Sequence, residues 1–494
     1  MRIRKSAAGS PATGKISRYF SHLVCGALLF GAFLIESLPA FALPILPAEV
    51  HPIPAFARKY GMPCSSCHEA WPKLSSFGQT FKDNGYQLGN ERDAPIYQHP
   101  SYWPITFRIT PNWHRESTNR VAVDGATPGS TLENKITTDG FDWSGLDFHT
   151  GGTLAKNISF YVLPSSDSTG AFHFESVWGR LDNLLGSSWF NIKFGKFELD
   201  NLLSEKRILT LSNVGGIYQN YHFQPLVTPG ANGNALVAEG LYKNGIGDNQ
   251  VGVEWMGHSK DDRTRVSAAL VNSNDGQPNF TSSNGATNFP TGKSYNGYFA
   301  ASHAFQAGSL GLQRVGAFAY IGQEPTYFQF TSTSGGVTTG IAGTGIGNKS
   351  FYRAGLIGMW YVKKFDVTTI YFHGWDSAFL GSNTPANMQL PAGARAPTWN
   401  GALVELHYNV NPRFIAIGRY EAIRMSRQVF ATNPANFGNI DVATVGYRFY
   451  PFISSRAGFA FHNEYSILRQ RGAAPITGRD LTTSSLLIGF DFAY

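Results

Sequence analysis

The chain has 494 residues, of which 15% are charged, 14% are aromatic and 54 are glycine. Soluble globular proteins carry about 25% charged residues, and 3 cysteines are too few for a disulfide scaffold. After the N-terminus there is no apolar run of about 20 residues, which excludes a helical membrane bundle. A β-rich protein in an unusual solvent is the class that remains.

The first 42 residues have the features of a secretory signal peptide. An apolar stretch over 23–35, too short to span a bilayer, is followed by the small-x-small cleavage site Ala40-Phe41-Ala42. Five basic residues precede this stretch: Arg2, Arg4, Lys5, Lys15 and Arg18. Removal of residues 1–42 would lower the formal net charge from +7 to +3, because 35 basic and 32 acidic residues would remain. Nucleic acid is therefore not implied as a partner.

Two cysteines remain in the exported chain, in the sequence Cys64-Ser65-Ser66-Cys67-His68. This is the C-x-x-C-H pattern of c-type haem attachment. Two thiols three positions apart can each add to a vinyl group of the porphyrin, and the histidine that follows can ligate the iron. We therefore predict one covalent haem c, held by Cys64 and Cys67 with His68 as an axial ligand. The alternatives are a disulfide or redox pair, and zinc, which would need two further ligands nearby.

The ligand on the opposite face of the iron is not evident from the sequence. A methionine ligand would raise the reduction potential, but no Met lies between His68 and Trp255. His99 and His51 are the local alternatives, of which we favour His99, and a vacant or water-filled position stays open. Four distant methionines could reach the iron if the haem lies deep within the rest of the protein: Met256, Met359, Met388 and Met425.

The segment that carries the motif, 43–100, is short and mostly helical in pattern. Leu74, Phe77 and Phe81 recur at helical spacing and predict one face of a helix after Pro72. Fewer than about 60 residues lie near the lower limit for independent folding. We therefore expect the haem to supply much of the core of this segment.

The remainder, 101–494, alternates between apolar and small or polar residues, as transmembrane β-barrel strands do. Val251, Val253 and Trp255 alternate with Gly252, Glu254 and Met256. Similar alternation occurs over 402–409, 444–449 and 456–462, and Leu486, Ile488, Phe490, Phe492 and Tyr494 share one face at the chain's end. A secreted β-sandwich or propeller would give similar alternation, but it would not explain the terminal aromatic strand.

Turns and loops allow the strands to be counted. Short turns near 363–364, 411–412 and 452–453 alternate with long loops near 274–292, 325–349 and 381–397. The count gives 17 candidates, whereas an even number is expected. Either 105–114 is not a spanning strand or 201–235 hides one. We predict an all-β transmembrane barrel of 16 antiparallel strands, with 18 as the alternative.

Charged residues of this region are expected to be solvated. Lys193, Glu254, Arg314 and Arg448 would point into a wide aqueous lumen. Four acids are expected in one external loop, where hard oxygen ligands would suit iron but solvation is the commoner role: Asp124, Glu133, Asp139 and Asp142.

A haem joined to a membrane barrel would suit an electron conduit. The outer membrane presents an apolar band about 25 Å tall, and a haem in the lumen could bridge that distance, whereas one on the periplasmic side alone could not. We therefore expect 43–100 to plug or enter the barrel, with the haem in its lumen or at its periplasmic mouth.

The sequence around the motif resembles a known family. Ala55-Phe56-Ala57-Arg58, Gly61, the Cys64–His68 motif and the stretch from Phe77 to Tyr86 (FGQTFKDNGY) are similar to the haem region of the fused monohaem cytochrome–porin proteins. These are outer-membrane iron oxidases of iron-oxidising bacteria. The similarity is specific over about 55–88, and beyond that it is one of architecture.

This resemblance implies an Fe(II):cytochrome c oxidoreductase-type electron transfer. The donor would be extracellular Fe(II) or another redox metal, and the acceptor a periplasmic c-type cytochrome. By the same resemblance Cys64 and Cys67 attach haem and His68 is an axial ligand, while the second ligand is not fixed. The alternatives are a porin with a haem redox-sensing or plug segment, and a conduit that exports electrons to extracellular metal oxides.

Overall fold

The computed structural model describes residues 56, 60, 62, 64–70, 73–83, 86, 88, 105–143, 145–166, 170–199, 249–272, 295–325, 329–334, 337–342, 348–376, 396, 398–425, 439–453, 458–471 and 476–493. The chain divides into two compact units, 1–50 and 51–494, and the second holds all of these residues. The predicted signal peptide, His51, His99 and Met388 lie outside the described residues.

Two short helices and two short strands begin at the predicted haem motif. Helix α1 is Cys64–Cys67, strand β1 is His68–Ala70, strand β2 is Lys73–Leu74 and helix α2 is Ser76–Asp83. Strands β1 and β2 pair antiparallel. The predicted helix is confirmed as α2, but its predicted apolar face is only partly right. Phe81 is buried, whereas Phe77 is 42% exposed because Gly78, not Phe77, faces the Cys67 turn.

Twenty further strands follow. They are β3 (Ile105–Ile109), β4 (Asn112–Asp124), β5 (Thr131–Asp142), β6 (Leu146–Ala155), β7 (Ile158–Ser166), β8 (Phe172–Leu181), β9 (Asn191–Glu198), β10 (Asn249–His258), β11 (Thr264–Asn272), β12 (Tyr295–Gln306), β13 (Leu312–Pro325), β14 (Gln329–Ser334), β15 (Val337–Ala342), β16 (Asn348–Val362), β17 (Phe365–Asp376), β18 (Thr398–Asn411), β19 (Phe414–Met425), β20 (Ile440–Ile453), β21 (Gly458–Gln470) and β22 (Leu481–Ala493). These counts refer to the described residues.

Eighteen of these segments form one closed antiparallel barrel, while β14 and β15 form a separate hairpin between β13 and β16. The barrel closes where β9 pairs with β10 and where β22 pairs with both β3 and β4. Every edge strand is thereby paired, which removes the open edges that invite aggregation.

The eighteen segments make 16 spanning strands within the described part of the chain. β22 pairs with β3 (Phe492 with Ile109) and with β4 (Gly489 with Asn112) in one unbroken register. On the other side β3 pairs with β6, and β4 pairs with β5. β3–β4 and β5–β6 are thus two interrupted strands of one hairpin. The prediction of 16 strands is confirmed, and the extra candidate near 105–114 is the lower part of the strand that continues into β4.

Alternating residues face opposite sides of the barrel wall, as predicted. The outward positions are apolar and exposed, including Val253, Leu270, Phe299, Ile321, Leu356, Val404, Val445 and Ile488. Between them lie buried polar or charged residues such as Glu254, Glu405 and Arg448. The barrel therefore presents its apolar face outward, which is the reverse of a soluble barrel.

The two ends of the barrel differ in the length of their connections. One end has the short connections 156–157, 182–190, 259–263, 307–311, 363–364, 412–413 and 454–457. The other end has the connections 125–130, 167–171, 199–248, 273–294, 326–347, 377–397, 426–439 and 471–480. We call them the short-turn end and the long-loop end. None of the described helices is long and apolar enough to cross a membrane.

The four acids that were expected in one external loop lie instead in the β4–β5 hairpin, so that expectation was wrong. Asp124 ends β4, and the other three belong to β5. The strands extend because β-branched residues continue through this stretch. Glu133 is engaged, since its carboxylate accepts hydrogen bonds from the backbone of Ile476 and from Thr477 at 2.7–2.8 Å.

Candidate functional site

The two predicted haem-attachment cysteines lie on one helical turn. Helix α1 begins at Cys64 and ends at Cys67, and His68 follows at once as the first residue of β1. A spacing of three puts the two residues on the same side of a helix. Cys67 is partly buried. These residues fit a covalent haem in residue type and in placement.

Helix α2 packs directly on this turn. The Ser75 amide donates to the Cys67 carbonyl at 2.8 Å, and the Ser75 hydroxyl donates to the Ser66 carbonyl at 3.0 Å. Gly78 sits so close that a Cβ there would lie 2.0 Å from the Cys67 carbonyl oxygen. Its amide donates to Ser75 Oγ at 3.0 Å. The attachment turn and α2 therefore form one unit, and only glycine fits at the contact.

A polar contact at the short-turn end joins α2 to the barrel. Thr80 Oγ1 donates to the carboxylate of Asp262, which lies in the turn between β10 and β11. Arg265 Nη2 donates to Thr80 Oγ1 at 2.8 Å, and Arg265 Nε donates to Asp262 Oδ1 at 2.8 Å. Arg314 Nη2 donates to the Asp262 backbone carbonyl at 2.6 Å. We call Thr80, Asp262, Arg265 and Arg314 the latch.

The electrostatics of the latch keep Asp262 ionised. Burial by itself would raise the pKa of the Asp262 carboxyl. The hydrogen bond and charge of Arg265, the Thr80 hydroxyl and the charge of Arg314 outweigh that effect and hold the pKa below its usual value. The latch therefore offers Thr80 a charged acceptor, and hydrogen bonds to charged groups are the stronger kind.

A second polar contact holds the end of α2. Lys82 Nζ lies 3.2 Å from Glu198 Oε2 on β9. Arg180, which is 1% exposed on β8, donates from Nη2 to the Lys82 carbonyl at 3.2 Å and from Nε to Asp182 at 2.6 Å. The Arg180 guanidinium thus satisfies a carbonyl at the C-terminal end of α2, where helix carbonyls lack an intrahelical partner.

Aromatic rings continue the contact between this segment and the barrel wall. Phe81 and Tyr86 are both 6% exposed. Tyr86 stacks on Trp178 of β8 and Tyr161 of β7, with ring centroids 6.1 and 6.0 Å apart. Phe56 also stacks on Tyr86, with ring centroids 4.6 Å apart. Such pairs contribute about 0.5–1.5 kcal/mol each beyond the area they bury. The residues after the haem motif are therefore bound to β7–β11 by both polar and apolar contacts.

A cavity lies between α2 and the lumen face of the barrel. Gln79 of α2 lines it together with Met256 and His258 of β10 and Arg265 of β11. The facing wall consists of small residues of β12 and β13, among them Ala300, Ser302 and Gly316. Met256 is one of the distant methionines that the sequence left open as iron ligands. Its neighbour His258 was not considered, although its position two residues along the same strand puts it on the same face.

The inward charged residues are buried and paired, so the expectation that they are solvated was wrong. Lys193 and Glu254 are 3% and 0% exposed and form an ion pair at 2.5 Å across neighbouring strands. Arg448, 0% exposed, lies 3.3 Å from Asp491. Arg314 belongs to the latch. Lys193 and Glu254 are register partners on β9 and β10, and Arg448 has the carboxylate of Asp491 beside it, as buried charges require.

The remaining predicted ligands are not brought to the site. His99, the favoured second ligand, lies outside the described residues, and Met359 is buried on β16 without lining this cavity. Within the described parts of the chain, no group of three or more His, Cys, Asp or Glu side chains could hold a metal ion. The described residues therefore contain no dedicated coordination site for iron as a substrate.

Solved porin structures resemble the chain at low identity. The outer membrane channel DcaP of Acinetobacter baumannii has a TM-score of 0.43 at 10% identity, with 79% of this chain and 97% of that chain covered. An anion-selective porin from Comamonas acidovorans has a TM-score of 0.42 at 11% identity, with 79% of this chain and 98% of that chain covered. OmpT of Vibrio cholerae has a TM-score of 0.40 at 11% identity, with 79% of this chain and 97% of that chain covered. With scores this low, the fold assignment rests on this chain's own strand pairing. No family model and no curated protein matches the chain.

Proposed function

We propose that this chain is an outer-membrane β-barrel that carries one haem c and transfers single electrons from extracellular Fe(II) to a periplasmic c-type cytochrome. Cys64, Cys67 and His68 would hold the haem. The observation that carries the proposal is the attachment of α2, which is packed on the predicted haem-binding turn, to the short-turn end of a closed barrel through the latch.

The membrane location is supported by the barrel itself. Only helices and closed barrels satisfy all backbone hydrogen bonds in hydrocarbon, and this barrel has a closed ladder with apolar residues outward. Outer-membrane barrels turn short connections toward the periplasm and long loops outward. By this rule the short-turn end, where the latch lies, faces the periplasm. The predicted signal peptide over 1–42 agrees with export.

The chain's own residues would position the cofactor and shield it. A bound haem would supply a one-electron redox centre, whose potential depends on its axial ligands and surroundings. The contact of Gly78 with Cys67 fixes the attachment turn to α2, and the latch fixes α2 to the barrel. Buried rings such as Tyr86 and Trp178 exclude water beside the segment.

Fe(II) as the donor rests on the resemblance over 55–88. Iron would be a substrate that arrives from the long-loop end and loses one electron. The porin alternative is compatible with the same barrel, and the haem measurements below distinguish the two functions.

The proposal is tested by asking whether the haem can be reached from outside. Intact cells expressing the protein are treated with a membrane-impermeant reductant and with Fe(II), and the haem spectrum is followed before and after the outer membrane is lysed. We expect reduction in intact cells and a covalently bound haem after denaturation. Cells expressing Cys64→Ser/Cys67→Ser serve as the control. Reduction that begins only after lysis would contradict the conduit.

A further inference from the structure

We propose that the outer surface of the barrel, at the long-loop end of β19–β22, binds the phosphorylated headgroup of an outer-leaflet lipid. The site consists of three arginines held by two aspartates: Arg424, Arg469, Arg471, Asp441 and Asp480. We call these five residues the rim cluster. The inference goes beyond electron transfer and needs only the outer-membrane location, because the outer leaflet of that membrane consists largely of phosphorylated glycolipids.

Strand alternation directs the rim cluster toward the lipid side of the wall. Side chains four positions apart on a strand share a face. Arg424 is four positions after Tyr420 on β19, and Arg469 is four positions after Tyr465 on β21. Both tyrosines belong to the outward face and are 51% and 40% exposed. Asp441 is the register partner of Arg469 across β20 and β21, so it lies beside Arg469 on the same face.

The rim cluster stands at the upper edge of the apolar band. Further down the same strands the outward residues are apolar and 38–49% exposed: Val445, Phe461, Ile488 and Phe490. At the level of the cluster, the Tyr420 hydroxyl donates to Asp441 Oδ1 at 2.8 Å, and tyrosine is typical of the membrane–water interface. Arg471 follows the last residue of β21, and Asp480 precedes the first residue of β22. The guanidinium groups are therefore at headgroup height.

Asp441 brings two arginines of different strands together. Arg424 donates from Nη2 to Asp441 Oδ1, while Nε and Nη2 of Arg471 each lie 3.2 Å from Asp441 Oδ2. Arg424 also donates from Nη1 to the carbonyls of Ile423 and Ile440 at 2.8 and 2.9 Å. These bonds fix the Arg424 guanidinium against the wall, so that it is positioned before a ligand arrives.

Asp480 holds the third arginine in a similar way. Arg469 donates from Nε to Asp480 Oδ2 at 2.6 Å, and its Nη2 donates to the same oxygen. Arg120 of β4 donates from Nη1 to the Asp480 backbone carbonyl. Because Arg469 and Asp441 are register partners, the contacts around Asp441 and around Asp480 lie side by side on the outer surface.

The surface that the rim cluster presents is positive. Three guanidinium groups face only two carboxylates. Arg424, Arg469 and Arg471 keep 43%, 55% and 56% of their side chains exposed, whereas Asp441 is 14% exposed and Asp480 31%. Among the neighbouring charges Arg120 and Glu133 offset each other, and Arg479 is an exposed further cation.

The remaining donors of the arginines suit a phosphate. Nη1 of Arg469 and Nη1 of Arg471 take no part in the carboxylate contacts. A guanidinium has five N–H donors in a planar fork, which matches the oxygens of a phosphate. A lipid would meet these donors with its phosphate and the apolar residues below with its acyl chains. This combination favours a membrane lipid over free phosphate.

The test measures lipid binding to the purified full-length protein by native mass spectrometry from detergent, with the diphosphorylated glycolipid lipid A as the probe. We expect the wild type to retain lipid A and to bind its dephosphorylated form weakly. Arg469→Gln/Arg471→Gln should bind lipid A roughly 30-fold more weakly, since each arginine near a lipid headgroup contributes about fivefold. Arg263→Gln is the matched control, because Arg263 is also paired with an aspartate, Asp261, and is 53% exposed at the short-turn end.

Three results would overturn the inference. One is equal lipid A binding by the wild type and the double variant. Another is an equal loss in Arg263→Gln, which would show that overall charge governs binding. The third is displacement of lipid A by millimolar inorganic phosphate, which would indicate a site for a free anion. If the double variant does not fold, Arg471→Gln alone carries the test, with a roughly fivefold loss expected. The assay does not involve haem, so its outcome is separate from that of the proposed electron transfer.

Discussion

Replacement of Gly78 by alanine is the most local way to separate α2 from the haem-attachment turn. A Cβ at Gly78 would lie 2.0 Å from the carbonyl oxygen of Cys67 and 2.8 Å from its carbonyl carbon. Ordinary van der Waals contact begins at 3.4 Å, so the two backbones would have to separate by about 1.4 Å. The Cys67 atoms that the new Cβ would meet are all backbone atoms, so no side-chain rotation can relieve the clash.

The cost of this displacement follows from the contacts that it disturbs. Overpacking of this kind costs about 1–3 kcal/mol, and a shift of α2 also strains the hydrogen bond of Thr80 to Asp262. A cost of about 2 kcal/mol corresponds to a roughly 30-fold larger population of the detached segment. Hydrogen exchange of the Ser75 and Gln79 amides measures that population, because the Ser75 amide donates to the Cys67 carbonyl and the Gln79 amide donates to the Ser75 carbonyl. We expect their exchange to accelerate roughly 30-fold.

The matched control is Gly418→Ala on β19. A Cβ at Gly418 has no atom within 4 Å, so alanine should leave the exchange of Ser75 and Gln79 unchanged. If Gly78→Ala exchanged at the same rate as the wild type and Gly418→Ala, the close contact of Gly78 with Cys67 would not be what joins α2 to the attachment turn.

Three further predictions concern the contacts of the lumen. Thr80→Val should loosen the segment by about 1.5–3 kcal/mol, since it removes hydrogen bonds to charged groups, and limited proteolysis near α2 should accelerate; equal cleavage of both proteins would refute the latch. The pKa of Asp262 in the folded protein is lowered, so the stability that its carboxylate contributes is fully present above its unfolded pKa of about 3.9 and is lost as pH falls through the folded pKa. The difference in proteolysis rate between wild type and Asp262→Asn should therefore vanish in acid. A difference that persisted in acid would contradict a role for the ionised carboxylate. Lys193→Met should destabilise the barrel by about 3–5 kcal/mol in denaturant unfolding, whereas Lys193→Met/Glu254→Leu should recover most of that loss; a double variant as unstable as the single one would show that the ion pair is not the cause.

The barrel could be predicted because its information is local and periodic. Alternation along each strand depends on neighbours two residues away, so the outward Val253 and the inward Glu254 were evident from the sequence. The sequence shows 17 strand candidates and does not decide which one to remove, because β3 and β4 are interrupted at Thr110 and Pro111 and this interruption looks like a turn. Only the unbroken register along β22 shows that they form one strand.

The haem assignment stays a prediction from the sequence, whereas the contacts around the motif could not be predicted at all. Cys64, Cys67 and His68 are adjacent in the sequence, and their spacing alone indicates the chemistry. Thr80 and Asp262 are 182 positions apart, and an interaction over such a distance leaves no periodic signal. The burial of Lys193 and Arg448 was missed for the same reason, since charge in a barrel lumen is exposed or buried according to what else occupies the lumen.

The most direct test of the proposed function uses sealed vesicles that contain the purified protein and a trapped one-electron acceptor, with Fe(II) supplied only outside. We expect the trapped acceptor to be reduced, one electron for each Fe(II) oxidised to Fe(III), in vesicles with the wild type and not in vesicles with Cys64→Ser/Cys67→Ser. An acceptor that stays oxidised with the wild type, or that is reduced equally with the serine variant, would contradict an electron path through the haem in this barrel.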